Sequence, residues 1–142
     1  MRILLLDPDY SSRTVMAGWL AEFFGGIAIH AVSSAAEALQ AIGTHPADLM
    51  VAAHPVPALG GIELTAMIKS RPNPPVIVLV TAGSATGLDL QCRAAGVDLL
   101  LEKRHLRSRL LGFLQRRFPK VWADGVGARS QAACARASWS GR

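Results

Sequence analysis

Residues 48–63 read DLMVAAHPVPALGGIE. The apolar run 49–53 suits a strand buried on both faces. Pro55 and Pro57 break the chain after it. Residues 62–69 then show a helical pattern with Leu64, Met67 and Ile68 on one side. Open α/β sheets place their chemistry at such a strand–loop–helix junction, beyond the carboxyl end of the strand. Here the strand ends in Ala52-Ala53. Methyl groups do no acid–base, nucleophilic or metal chemistry, so the junction has the layout of a site and lacks a reactive group.

The same unit recurs on either side. Residues 3–6 form an apolar run that stops at Asp7-Pro8-Asp9. Ser11 or Ser12 is placed to cap a helix with Val15, Met16, Trp19, Leu20 and Phe23 on its inner face, and Gly25-Gly26 stop it. Residues 27–32 are the second strand. Ser34-Ala35-Ala36-Glu37 is a capping box that opens a helix closed by Gly43. After Pro72, Pro74 and Pro75, residues 76–80 are the fourth strand and 83–87 a loop. Residues 88–95 are a short helix ended by Gly96, and 97–101 the fifth strand. The last helix, 106–118, turns Leu106, Leu110, Phe113 and Leu114 inward and Arg107, Arg109, Arg116 and Arg117 outward. Five β–α repeats predict an α/β fold, a (βα)5 doubly wound five-stranded parallel sheet of order 2-1-3-4-5, flavodoxin-like.

The chain has 142 residues, 51% hydrophobic and 18% charged, which fits one globular domain with a core. No apolar run approaches the ~20 residues of a membrane span. Met1-Arg2-Ile3 leads straight into a strand without a signal-peptide layout, and Cys92 and Cys134 lie far apart, as in a reduced protein. The expectation is a cytoplasmic protein with no membrane partner. The net charge of +5 is unevenly spread. Residues 1–100 hold 5 Lys/Arg and 8 Asp/Glu, whereas 101–142 hold 10 and 2. A basic end meets nucleic acid, an acidic protein face or anionic lipid, or is simply a solvated helix face and tail. Ala, Gly and Ser make up 12 of the 24 residues from 119 to 142, read as a basic, flexible tail with helical character around 130–137. Trp122 and Trp139 lie in it.

Residues 1–118 resemble a bacterial response-regulator receiver domain. The matching words are ILLLDPD, PADLMVAAHPVPALGGIEL, PPVIVLVTA and AAGVDLLLEK, in the right order and spacing. The resemblance implies acidic residues after the first strand that bind Mg²⁺, and an aspartate ending the third strand that accepts a phosphoryl group. It also implies a Thr or Ser ending the fourth strand and a Lys ending the fifth, both on the phosphoryl oxygens. Carried over by position, Asp7 is the first metal-site acid. Pro8 falls where a second acid usually sits, and Asp9 follows it. The phosphoacceptor position is Ala53, the hydroxyl position Thr81 and the lysine Lys103. Leu100 falls at the aromatic switch position, and Arg104 stands where the family has proline, which predicts a reshaped loop.

The nucleophile is therefore absent, and phosphoryl transfer needs one. Asp7 and Asp9 alone are expected to hold Mg²⁺ weakly, so no metal or other cofactor is assigned. Lys103 is expected to pair with Asp7 or Asp9. His30, His45, His54 and His105 show no metal-ligand spacing, and the loop 83–87 lacks the ending of a P-loop. The reading is a degenerate receiver: a phosphorylation-independent, non-enzymatic signalling or adaptor module of a two-component-type pathway. The family pairs receivers with each other or with effectors through helix 4, strand 5 and helix 5. Here that face carries Cys92, Arg93, Arg104, Arg107 and Arg109, with Leu88, Leu99 and Leu111 as apolar contacts, for a homodimer or an acidic protein partner. The alternative is nucleic-acid binding through the basic last helix and tail, driven by phosphates and steeply salt-dependent. A phosphorylated receiver using Asp7 or Asp9 as acceptor ranks last.

Overall fold

Successive residues of a strand point to opposite faces of its sheet, and the apolar runs of this chain divide accordingly. Ile3, Leu5, Leu49, Val51, Val76, Val78, Val80 and Leu101 fall in one buried cluster. Leu4, Leu6, Met50, Ala52, Ile77 and Leu79 fall in the other. β1, β3 and β4 are continuous in hydrophobicity because both faces are covered, whereas edge strand β2 buries only Val32.

The computed structural model describes residues 1–23, 27–54 and 60–119. The order is β1 (Arg2–Leu6), α1 (Tyr10–Phe23), β2 (Ala28–Val32), α2 (Ala35–Thr44), β3 (Leu49–His54), α3 (Gly61–Lys69), β4 (Val76–Thr81), α4 (Asp89–Ala95), β5 (Leu99–Glu102) and α5 (Leu106–Arg117). The five strands form one parallel sheet of order β2-β1-β3-β4-β5. Met16, Trp19 and Leu20 of α1 join Leu106, Leu110 and Leu114 of α5 on one face. Ala35 and Ala38 of α2, Leu64 and Ile68 of α3, and Cys92 of α4 cover the other.

Several boundaries and faces differ from those expected. β5 starts two residues late because Asp98 is an anchor: its Oδ2 accepts the Ile77 amide at 2.8 Å and Lys69 Nζ at 2.8 Å. α2 runs through Gly43 to Thr44, and the His45 amide closes it on the Ala41 carbonyl. Its capping box holds in one direction, with the Glu37 amide on Ser34 Oγ at 3.2 Å, while the Glu37 carboxylate turns to Ser33. Gly96 does end α4, at φ 97°, a left-handed conformation that glycine adopts without strain. Val15 and Met67 face solvent (55% and 46% exposed) rather than the core. Thr65 takes the inner position on α3, its hydroxyl donating to the Gly61 carbonyl at 2.8 Å. Gly25-Gly26, the 55–59 loop, Trp122, Cys134 and Trp139 lie outside the described residues.

Candidate functional site

Parallel register lines up the carboxyl ends of the strands. Leu6 pairs with Ala52, Ala53 with Val80, His54 with Thr81, and Thr81 with Glu102. The residues just past β1 therefore face the end of β3 across the point where strand order reverses, which is where open sheets form their crevice. A cavity of about 230 Å³ lies there. Asp7, Pro8, Asp9 and Ser12 line it from β1 and α1, Ala53 and His54 from β3, and Lys103 from the segment after β5.

Asp9 rather than Ser11 or Ser12 caps α1. Its Oδ2 accepts the Ser12 amide at 2.8 Å, and its carbonyl accepts the Arg13 amide at 2.9 Å. This satisfies donors that the first helical turn leaves without partners. Asp7 is buried at 6% exposure, and its Oδ1 accepts the Asp9 amide at 2.9 Å. Arg13 Nη1 donates to the Asp7 carbonyl at 2.8 Å, not to the carboxylate. The Ser12 amide and hydroxyl hold the Asp9 carboxyl below its ordinary range, with smaller help from Lys103 and Arg13.

No ion pair joins Lys103 to Asp7 or Asp9 among the described residues, contrary to expectation. Lys103 Nζ donates to Ser12 Oγ at 2.5 Å instead. Ser12 thus serves both, its hydroxyl taking the ammonium and its amide the Asp9 carboxylate, while the ammonium's charge also acts on Asp9. Sequence reasoning assigned Ser12 only as a possible cap. Its second bond spans 91 residues, and no local pattern signals that.

Ala53 presents a methyl group at the end of β3. His54 Nδ1 is buried with no hydrogen-bond partner among the described residues. α3 approaches closely there: a Cβ on Gly61 would lie 3.3 Å from the Ala53 carbonyl oxygen and 3.4 Å from His54 Nδ1. Thr81 is buried at the end of β4 and does not line the cavity, nor does Leu100 or Arg104. Lys103–His105 is a turn of 3₁₀ helix that leads into α5. Arg104 in it bonds Glu102 Oε1 through Nε at 2.8 Å and Nη2 at 2.7 Å.

A family model described as response regulator receiver domain matches residues 3–115. The chain belongs to that family. Solved receivers are correspondingly similar. The receiver domain of a sensor histidine kinase from Pseudomonas aeruginosa, with magnesium coordinated in its active-site cleft, is 26% identical. Its TM-score is 0.70, over 81% of this chain and 94% of that one. A LuxR-family two-component response regulator from Aurantimonas is 25% identical, TM-score 0.72, over 81% and 82%. A response regulator receiver domain protein from Methanospirillum hungatei shares the fold at 23% identity, TM-score 0.72, over 87% and 98%. A comparison with curated protein sequences returned no match. The chain is thus a receiver domain of two-component-type signalling, with the flavodoxin-like sheet order.

As a donor set, the receiver's crevice fits Mg²⁺ poorly. The ion wants oxygen ligands in near-octahedral geometry. Asp7 and Asp9 each already commit one carboxylate oxygen to a backbone amide, and Ala53 supplies none. No group of three or more His, Cys, Asp or Glu gathers as a cage among the described residues. On the α4–β5–α5 side, Arg93, Arg104 and Arg109 are exposed and Arg107 is half-buried. Cys92 is not on that face: it is 3% exposed and packs in the core with Leu64 and Ile68. Leu90 of α4 is 80% exposed. No helix among the described residues is long and apolar enough to cross a membrane.

Proposed function

We propose that this receiver works without phosphorylation, as a non-enzymatic signalling or adaptor module whose output is protein–protein contact. The observation that supports this reading most is the methyl group of Ala53, opposite Asp7 and Asp9 where a receiver's phosphoacceptor would stand. An in-line displacement needs an oxygen at that point. Asp7 and Asp9 are poor substitutes. They sit past β1, and both are already bonded within the α1 cap. On this reading Asp7, Asp9 and Lys103 are a remnant pocket that binds no resident metal, with Thr81 a remnant buried outside its lining. Pro8, Leu100 and Arg104 are altered switch positions. Residues 1–118 are the receiver unit, and 119–142 a basic extension. Arg93, Arg104, Arg107 and Arg109 form the face for an acidic protein or a second copy.

Thermal unfolding with and without Mg²⁺ plus beryllofluoride tests the reading on the native chain and on Ala53→Asp. A ligand that binds only the folded state raises its stability, by ~2.7 kcal/mol at a hundred times its Kd. The expected result is no response from the native chain and a clear one from Ala53→Asp. A shift in the native chain would overturn the reading.

A second reading, nucleic-acid binding, draws on one observation. Residues 103–123 contain seven Lys/Arg and no acid, and Arg109, Arg116 and Arg117 are exposed on α5. Retention on DNA that falls steeply with salt, and that is lost on deleting residues 119–142, would favour it over the adaptor reading.

A further inference from the structure

On the β4–β5 side of the sheet's carboxyl edge a single carboxylate is bound by two groups. Glu102, the last residue of β5, has a side chain 17% exposed. Its Oε2 accepts the amide of Ala85 at 2.9 Å. Its Oε1 accepts Arg104 Nε at 2.8 Å and Nη2 at 2.7 Å. Ala85 is the middle of the 82–88 loop between β4 and α4. Among the described residues the loop's other hydrogen bonds are local: Thr86 to Ser84, and the Leu88 amide to the Ala85 carbonyl at the start of α4. Hydrogen bonds to an ionised acceptor are the strong ones, and this acceptor serves both an amide and a guanidinium.

We propose that Glu102 is a latch that holds the loop between β4 and α4 onto β5, with Arg104 steering the carboxylate into place. α4 follows directly from that loop, and Cys92 on its inner side is locked in the core. The latch therefore sets how α4 presents Leu90 and Arg93 to solvent. Glu102 does not line the acidic cavity, so the latch stands whether or not the reading of Ala53 holds. A proline at position 104 would leave the carboxylate with the loop amide alone. The Ala85 amide is the first cause, and Arg104 the second, of a Glu102 carboxyl held below its ordinary range; His105 adds its charge nearby.

Proton NMR of the full chain reads the latch at Ala85. The Ala85 amide resonance is expected to titrate with a midpoint below the ordinary glutamate value. Glu102→Gln, which keeps the side-chain shape, abolishes that titration. Glu102→Ala speeds Ala85 hydrogen exchange about tenfold, the loss of a bond to a charged acceptor. Arg104→Ala speeds it less and moves the midpoint upward. Exchange in β1 and β3 stays unchanged in all three. An Ala85 resonance that ignores acid in the native chain would overturn the proposal. So would Ala85 exchange unaffected by Glu102→Ala and Glu102→Gln, or exchange that rises equally in β1 and β3.

Discussion

The two halves of the sheet's carboxyl edge are built on opposite terms. On the β1–β3 side, Asp7 is buried and its carboxylate accepts an amide two residues away, while the facing position carries only the Ala53 methyl group. On the β4–β5 side, Glu102 meets a loop amide and a guanidinium together. Both halves hold carboxylates, but the second gives one a guanidinium at ion-pair distance, whereas no cation bonds the Asp7 carboxylate among the described residues. A buried charge without such a partner is a cost to the fold, retained where a ligand or ancestry calls for it. A satisfied one adds to the scaffold. The same residue type thus reads as the remnant of a site on one side and as architecture on the other.

The largest effect is expected from making the first half more acidic. Ala53→Asp adds a third carboxylate beside Asp7 and Asp9, and like charges at close range disfavour ionisation. Urea unfolding without Mg²⁺ is expected to show a loss of about 1–3 kcal/mol. No loss would mean that the crevice is better solvated than its geometry indicates. Next, Asp7→Asn keeps an oxygen for the Asp9 amide and removes the buried charge, for a gain of about 1 kcal/mol in the same measurement. A loss there would break the comparison, because Asp7 would then be as well compensated as Glu102. A smaller change is expected from acid. Asp9 and Glu102 both have folded-state carboxyls held below their ordinary values, chiefly by the amides of Ser12 and Ala85. Their contribution is present above the ordinary values and is lost as pH falls through the folded ones. Stability followed by circular dichroism should therefore decline with acid, and Asp9→Asn combined with Glu102→Gln should flatten the decline. The least effect is expected from Lys103→Met. An exposed ammonium bonded to one hydroxyl contributes within about 0.5 kcal/mol. A larger loss would show that Lys103 neutralises Asp9 more strongly than its minor place among the causes of the Asp9 shift allows.

The sheet is legible in the sequence because four of its strands hold uninterrupted apolar runs between prolines, glycines and acids, with only β2 interrupted, by His30. The order of strands follows from handedness once five β–α units are counted. Faces on helices were harder to assign. Val15 and Met67 sit one position beside buried Met16 and Ile68, and a helical stripe is wide enough to include either neighbour. Ser12 has the residue type of a cap, yet Asp9 stands three residues earlier and accepts the Ser12 amide itself. In the crevice, Asp7, Ala53 and Lys103 came from matching positions to a family, and the fold brings all three to one cavity. Thr81 came the same way and stays out of its lining. Glu102 passed unnoticed. Its two partners lie 17 residues before it and 2 after it, so neither helix nor strand periodicity links them.

Cys92 gives the molecule a reporter of its own. The thiol lies beneath α4 at 3% exposure, and burial, with the Asp89 carboxylate beside it, pushes its pKa up. Thiol reagents attack the thiolate, so a maleimide added to the folded chain should react slowly at Cys92. Cys92 then becomes a slow clock. The rate at which it is alkylated counts how often α4 lifts from the core, and a mass spectrometer can read that rate in a crude lysate without any purified partner.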